Sequence, residues 1–163
     1  MASLDNTIYA VGVKVLFFGA ARELYDAVGP SAATGGSAGL DLCAALPEEN
    51  PEIAISPGER AAVPTGIAIE ILRPGVAGFV YSRSGLGAVK GLTVAQGVGL
   101  IDPDYRGEIC VYLLNTSFML QRLRRGERIA QLVFQPFFLP RWEQAEKLGE
   151  TARGACGFGH TGQ

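Results

Sequence analysis

Histidine and cysteine are scarce in this sequence of 163 residues. His160 is the one histidine, and the three cysteines, Cys43, Cys110 and Cys156, show no C-x-x-C spacing. Zinc or iron sites built from these side chains are therefore not expected, and a metal would have to be an oxygen-liganded ion such as Mg²⁺. The odd number of cysteines also argues against a disulfide framework and favours a reducing compartment.

A surplus of positive charge and a long apolar run are also missing. The 14 basic and 16 acidic side chains give a net charge of −2, so nucleic acid is not favoured as a partner. The apolar stretch Val11–Ala21 is interrupted by Lys14 and Gly19 and is shorter than a membrane span, and no charged, cleavable signal precedes it. We therefore expect a cytoplasmic protein that does not associate with a membrane.

Turn-forming residues, in contrast, are plentiful, with 22 glycines and 9 prolines. They separate short strand-like runs, of which Ile67–Ile71 alternates like a half-buried strand. One short helical turn is expected after Ser84. The other strand-like runs are Val11–Phe18, Gly78–Ser82, Ile109–Leu114 and Arg128–Phe138. The sequence therefore predicts one all-β domain made of antiparallel hairpins.

The end of the chain, Arg153–Gln163, is rich in glycine and formally satisfies the spacing of a dinucleotide-binding loop. That interpretation fails because one residue after Gly162 leaves no helix whose N-terminus could face a pyrophosphate. Two interpretations stay open. The segment is a frayed end, or it is a polyphosphate clamp that supplies arginine charge and backbone N–H groups.

The segment Gly97–Gly107 reads as a hairpin, with Ile109–Leu114 as the returning strand. Its carboxylates, Asp102 and Asp104, are turn residues, or one of them takes a proton from water at the edge of an apolar strand. Tyr105 is either a cross-strand packing ring or a flat face beside that carboxylate.

Three further features have both a structural and a functional interpretation. Arg83–Gly87 is a strand-to-helix turn capped by Ser84, or an anion site. Gln131, on a buried strand, belongs to a packing network or contacts a ligand. The four arginines of Gln121–Arg128 are expected to form a solvated turn, because one short basic cluster does not make a nucleic-acid face.

Five segments resemble, in order, the five motifs of the trimeric dUTP pyrophosphatase (dUTPase) family. Each is short, but their order and spacing make the match specific, and they cover most of the chain from Ser37 onward. Residues 1–36 resemble the family only in offering a first strand. The five segments are Ala38–Ala44, Arg83–Gly87, Gly99–Gly107, Gly126–Gln131 and Arg153–Gly162.

This resemblance implies an all-β, jelly-roll-like distorted β-barrel subunit in a homotrimer whose active sites are shared between chains. It implies a domain over 1–148 and a flexible glycine-rich arm over 149–163 that closes over the active site. The implied reaction is Mg²⁺-dependent hydrolysis of dUTP to dUMP and pyrophosphate, which keeps uracil out of DNA and supplies dUMP for thymidylate synthesis.

The resemblance also implies roles for individual residues. Asp102 matches the general base that activates water, and Tyr105 matches the ring that packs on the deoxyribose and rejects a 2′-hydroxyl group. Gln131 matches the amide that orients the α-phosphate, and Ser84 lies near the leaving oxygen. The other implied contacts are Gln96, Leu100, Ile101 and Cys110 around uracil, and Arg83, Gly85 and Arg128 around the phosphates.

For the metal and the arm, the resemblance is less complete. Asp41 matches an acid that is either structural or holds Mg²⁺ through water, and otherwise the substrate phosphates hold the metal. In the arm, Cys156 stands where the family pattern has glycine, which leaves the arm geometry open. The matched arm residues are Arg153 and Thr161 for the γ-phosphate, and Phe158 with Gly159 for closure over uracil.

Two other functions compete with this one. A dCTP deaminase on the same fold needs a group that protonates the departing amine, and the complete hydrolytic set disfavours it. A dUTPase-like binding module would use nucleotide occupancy to switch a regulatory contact, with turnover incidental. Asp102, Gln131 and the arm together argue for turnover.

Overall fold

The computed structural model describes residues 10–25 and 29–155. Within these ranges the chain forms eleven strands and two short helical segments, which confirms the predicted β-rich fold. The helical segments are Gly19–Leu24 and Gly85–Val89, the second being the turn predicted after Ser84. The strands are β1 (Val13–Phe17), β2 (Leu40–Cys43), β3 (Glu52–Ile55), β4 (Arg60–Pro64), β5 (Ile67–Ile71), β6 (Val76–Tyr81), β7 (Leu92–Val94), β8 (Gly99–Ile101), β9 (Cys110–Asn115), β10 (Gln121–Arg124) and β11 (Arg128–Pro136).

The strand pairs of the described chain are all antiparallel and form four sheets. The largest sheet has the order β2-β11-β6-β8, and the next has the order β4-β9-β7. Two smaller sheets pair β1 with β5 and β10 with β3. Strands that are adjacent in sequence often lie in different sheets, so the chain crosses between the sheets repeatedly.

One apolar cluster fills the space between the sheets. Alternation along β9 shows how the sequence selects this core: Val111 and Leu113 are buried, whereas Cys110 and Tyr112 point outward and are exposed. The outward face of the same strand is thereby left to line a surface cavity. Other strands supply the side chains that are almost completely buried in the core, including Leu42, Ile55, Ile67, Leu123, Ile129 and Leu132.

The predicted hairpin over Gly97–Leu114 is wrong. Strand β8 pairs with β6, placing Gly99 opposite Val80, while β9 pairs with β4 and β7 in another sheet. The connection diverges because Ile109 donates its N–H to the carbonyl of Ile67 (2.9 Å) instead of bonding back to β8. The turn between the strands therefore spans two sheets and borders the space between them.

The buried hydroxyl groups of Tyr25 and Thr65 hold neighbouring backbone segments together at the edge of this core. The Tyr25 hydroxyl group donates to the Thr65 carbonyl oxygen (2.6 Å) and accepts the Cys43 N–H (3.3 Å). Thr65 is fully buried, and its own hydroxyl group donates to the Ile109 carbonyl oxygen (2.6 Å). Burial, more than any other influence, raises the pKa of Tyr25 well above its ordinary value.

The chain leaves the sheets after β11. Every described residue from Phe138 to Ala155 is exposed, including the large apolar side chains of Phe138, Leu139 and Trp142. In the described ranges, no helix has the length and apolar character needed to cross a membrane.

We expect Tyr25→Phe to lower stability and to change its alkaline pH dependence. Loss of the hydroxyl group leaves a buried carbonyl and a buried N–H without this partner, which costs about 1–3 kcal/mol at neutral pH. In the unmodified protein, Tyr25 ionises at about pH 10 only when unfolded, so stability falls as pH rises beyond that point. The variant lacks this contribution.

Urea unfolding of both proteins, at about pH 7 and about pH 11, measures the two effects. The variant should be less stable at neutral pH, and the gap should narrow at alkaline pH. A gap that stays constant would show that Tyr25 ionises equally in both states.

Candidate functional site

A cavity of about 360 Å³ lies beside the turn that links β8 to β9. Strands β6 to β9 supply its walls, which mix apolar side chains with a few polar groups. The cavity has the size and character of a small-molecule pocket. Of the residues implied for the base, the sugar and catalysis, the structure brings six together here: Gln96, Leu100, Ile101, Asp102, Tyr105 and Cys110.

Asp102 is held at the edge of this cavity by a tight turn. Its carbonyl oxygen accepts the N–H of Tyr105 (3.1 Å), and Pro103 occupies the position that favours such a bend. Arg106 tightens the turn, because its Nη1 donates to the carbonyl oxygens of Pro103 (2.7 Å) and Tyr105 (2.9 Å). The Asp102 side chain is exposed, so water and a ligand can reach it.

Tyr105 lies on the same turn and is 45% exposed. Its hydroxyl group donates to the carbonyl oxygen of Glu108 (2.9 Å), which fixes the far end of the ring. Cys110 follows on β9, where desolvation, and then the charge of Glu108, raises the pKa of its thiol. The thiol therefore stays protonated near neutral pH and offers a neutral surface to the cavity.

A second group of predicted residues centres on Asp41. The Arg83 Nε donates to Asp41 Oδ1 (2.7 Å), and Arg128 Nη1 donates to Asp41 Oδ2 (2.9 Å). Arg83 also reaches the carbonyl oxygen of Arg128 (3.4 Å). Asp41 is only 13% exposed, so one mostly buried carboxylate holds two guanidinium groups together.

The two arginines border a second cavity, of about 340 Å³, together with Gly85. Ser84 precedes the helical segment and is exposed, and within the described structure its side chain makes no capping hydrogen bond. The capping interpretation of Ser84 is therefore not what the structure shows. The arrangement of guanidinium groups, a hydroxyl group and glycine backbone suits an anion.

Gln131 lies on β11, where it is paired with Asp41 of β2 on one side and with Tyr81 of β6 on the other. Its Nε2 donates to the Ser82 carbonyl oxygen (3.0 Å), which fixes the amide. Gly39 makes this possible, since a Cβ atom there would lie 2.2 Å from Gln131 Oε1. Sequence analysis missed the role of Gly39; its signal was a glycine inside the first motif, Ala38–Ala44.

The remaining arginines of Gln121–Arg128 have structural partners. Arg122 and Arg124 both pair with Glu52 on the neighbouring strand, and Arg125 donates to the Leu46 carbonyl oxygen (2.8 Å). Only Arg128 joins the candidate site. Of the arm residues, Arg153 is exposed, whereas Cys156, Phe158, Gly159 and Thr161 lie outside the described residues.

The described part of the chain does not offer a ready-made metal site. Across residues 10–25 and 29–155, no three side chains of histidine, cysteine, aspartate or glutamate are grouped to hold an ion. Both oxygens of Asp41 already accept guanidinium N–H groups. The geometry thus favours a structural role for Asp41, and an ion would need oxygen ligands from another molecule.

Comparison with known proteins assigns the chain to a family. The dUTPase family model matches residues 26–162. The deoxyuridine 5′-triphosphate nucleotidohydrolase of Desulfitobacterium hafniense is 48% identical over 133 residues, which are 82% of this chain and 86% of the relative. The chain therefore belongs to the dUTPase family.

Solved structures agree with this fold. Staphylococcus bacteriophage 80alpha dUTPase with dUPNHPP has a TM-score of 0.78 and 24% identity, covering 93% of this chain and 99% of the phage protein. A mutant dUTPase from phage phi11 of S. aureus, described with a structural Mg(II) ion, has a TM-score of 0.70 and 20% identity, over 85% and 99% of the two chains.

We expect Asp41→Asn to destabilise the fold by about 1–3 kcal/mol, because it removes the charge of a mostly buried carboxylate that holds two guanidinium groups. Glu52→Gln is the matched control. Glu52 also bridges two arginines, but it is 30% exposed and they are 59% and 76% exposed, against 13% for Asp41 and 25% and 53% for Arg83 and Arg128. Exposed pairs contribute little.

Urea unfolding of both variants tests this difference. Equal losses of stability in Asp41→Asn and Glu52→Gln would contradict the assignment of Asp41 as the structural anchor of the site.

Proposed function

We propose that this protein hydrolyses dUTP to dUMP and pyrophosphate. The observation that carries the proposal is the placement of Asp102 and Tyr105 at one cavity, in a chain whose dUTPase match spans residues 26–162. Its curated relatives bear the name of this activity. A deaminase or a purely regulatory module is not favoured. Release of pyrophosphate from dUTP, with no release of ammonia from dCTP, distinguishes the hydrolase from the deaminase.

Asp102 acts as the general base. Its exposed carboxylate takes a proton from a water molecule, whose oxygen forms a bond to the α-phosphorus while the bond from that phosphorus to the pyrophosphate oxygen breaks. The turn held by Arg106 keeps the carboxylate at the cavity edge, so the base does not have to be ordered during the reaction. Tyr105 packs against the deoxyribose next to it.

The second group binds the triphosphate. Arg83 and Arg128, held by Asp41, supply positive charge, and the Gln131 amide orients the α-phosphate. The exposed Ser84 hydroxyl group lies near the leaving oxygen. Gly85 allows the phosphates to approach the backbone closely.

Magnesium fits this arrangement as an ion bound mainly by substrate phosphates. The donor set supports this, because Asp41 is engaged by arginines and other acidic clusters are absent from the described residues. When bound, Mg²⁺ neutralises the triphosphate charge. Asp41 then contributes through the arginines that it holds.

We also propose that the active site is shared within a homotrimer. The base and sugar contacts line one cavity, while the arginines and Gly85 line another. A neighbouring chain would bring the two sets together. The exposed apolar side chains after β11 support assembly, because Phe138, Leu139 and Trp142 are 83–92% exposed in the single chain.

We further propose that residues 1–148 form the domain and that residues 149–163 form an arm that closes over the active site. Arg153, Phe158, Gly159 and Thr161 would bind the γ-phosphate and cover the base once the nucleotide has arrived. The few, unpaired cysteines support a reducing compartment, the cytoplasm. The net charge of −2 and the absence of a long apolar run support action on a small molecule, without nucleic acid or a membrane as a partner.

We expect Asp102→Asn to lower kcat about 100-fold or more and to change KM little, since it removes the base and preserves its shape. Asp104→Asn, on the same turn, is the control and should keep kcat. Pyrophosphate release under saturating dUTP measures both. Near-normal turnover in Asp102→Asn, with loss of turnover in Asp104→Asn, would transfer the base to Asp104.

Mixing two inactive variants tests the shared site. Asp102→Asn and Gln131→Ala lack different halves, so trimers assembled from equal amounts of both should contain native sites at about a quarter of positions. We expect coexpressed chains to recover activity that neither variant has alone. No recovery, or light scattering that shows an active monomer, would refute the shared site.

A further inference from the structure

We propose that Gly107 determines the sugar specificity of this site, because it leaves the space that the Tyr105 ring occupies. The inference rests on the proposed function, because it assigns to Tyr105 the surface that excludes a 2′-hydroxyl group. Gly107 is a positioning residue: it touches the aromatic ring that faces the sugar and acts through it.

The space above Gly107 is occupied by the tyrosine ring. A Cβ atom at residue 107 would lie 2.4 Å from Tyr105 Oη, 2.7 Å from Cζ and 3.1 Å from Cε2. These separations are far shorter than the 3.5–4.0 Å at which nonbonded atoms attract each other. The ring therefore rests on the glycine backbone and cannot stay there above any larger residue.

The requirement at residue 107 is for space, not for an unusual backbone. The glycines that adopt a positive φ in the described chain include Gly97 and Gly126, and Gly107 is not among them. Alanine can therefore adopt the same backbone. Its methyl group would meet the outer end of one side chain, which can rotate away, so the fold can remain while the ring moves.

The position of the ring is otherwise well determined. Its hydroxyl group donates to the Glu108 carbonyl oxygen (2.9 Å), and the Glu108 side chain accepts the Gly66 N–H (2.7 Å). The acceptor is thus anchored to the start of β5. An alanine at 107 would displace the ring from this hydrogen bond, and the ring would lose its fixed distance from the sugar.

Exclusion of one hydroxyl group depends on that distance. A surface rejects an added oxygen only when it lies in van der Waals contact with the carbon that would carry it, and such steric discrimination reaches about 100-fold. A Tyr105 ring that the added methyl group has displaced no longer provides this contact. Reading of the base, by groups elsewhere in the cavity, is unaffected.

The test compares kcat/KM for dUTP and UTP in the unmodified protein, Gly107→Ala and Gly36→Ala. We expect the dUTP/UTP ratio to fall about tenfold or more in Gly107→Ala, with a nearly unchanged melting temperature. Gly36→Ala is the matched control, because a Cβ atom there meets nothing within 4 Å. An unchanged ratio in a folded Gly107→Ala protein would overturn the proposal.

A double-substitution cycle separates this effect from a general disturbance. Tyr105→Ala removes the ring, so Gly107→Ala added to it should leave the ratio where Tyr105→Ala has put it. A second fall of the same size would show that Gly107 acts independently of Tyr105 and would also overturn the proposal.

A spectroscopic measurement tests the positioning role of Gly107 even if the protein does not hydrolyse dUTP. The chain has five tyrosines, and ring-labelled protein gives NMR signals that Tyr105→Phe assigns. Gly107→Ala should shift the Tyr105 signal and leave the others in place. A Tyr105 signal that does not move would refute the positioning role whatever the enzyme hydrolyses, whereas failure to cleave dUTP with a shifted signal would refute only the function.

Discussion

Strand β11 is the constraint on which the rest of the structure depends, because both of its edges are paired. Residues 128–132 pair with β2 and residues 131–136 with β6, so β11 is an inner strand of the largest sheet and Gln131 has a partner on each side. Antiparallel pairing fixes register, and a shift of one residue would turn every side chain to the opposite face. The same pairing that buries Ile129 and Leu132 therefore places Gln131 beside Asp41.

This arrangement explains how segments that are far apart in sequence form the proposed phosphate-binding surface. Asp41 is on β2, Arg83 follows β6, and Arg128 begins β11. Sheet hydrogen bonds hold β2, β11 and β6 side by side, and the ion pairs of Asp41 join the side chains that these strands carry. In the proposed function, binding of the triphosphate would therefore depend on the correct register of the core.

Much of this could be predicted from the sequence, for identifiable reasons. Alternation at Ile67–Ile71 and the turn signals predicted the β fold. The resemblance to five family motifs, not residue chemistry alone, singled out Asp102, Tyr105 and Gln131 as site residues. The partner of β8 could not be predicted, because the decisive bond is between the backbones of Ile109 and Ile67 and leaves no trace in residue type. Gly39 and Gly107 were missed as well, since their role is to leave room for side chains that only the folded chain brings near them.

The ion pairs around Asp41 also determine at which stage the entropy cost of ordering the arginine side chains is met. Long arginine side chains lose considerable rotational freedom when they are fixed, at about 2 kcal/mol each. Here Arg83 and Arg128 are fixed during folding by a carboxylate of the same chain. In the proposed function, an arriving triphosphate would therefore encounter preorganised guanidinium groups, and more of its binding energy would be left to act on the reacting phosphorus.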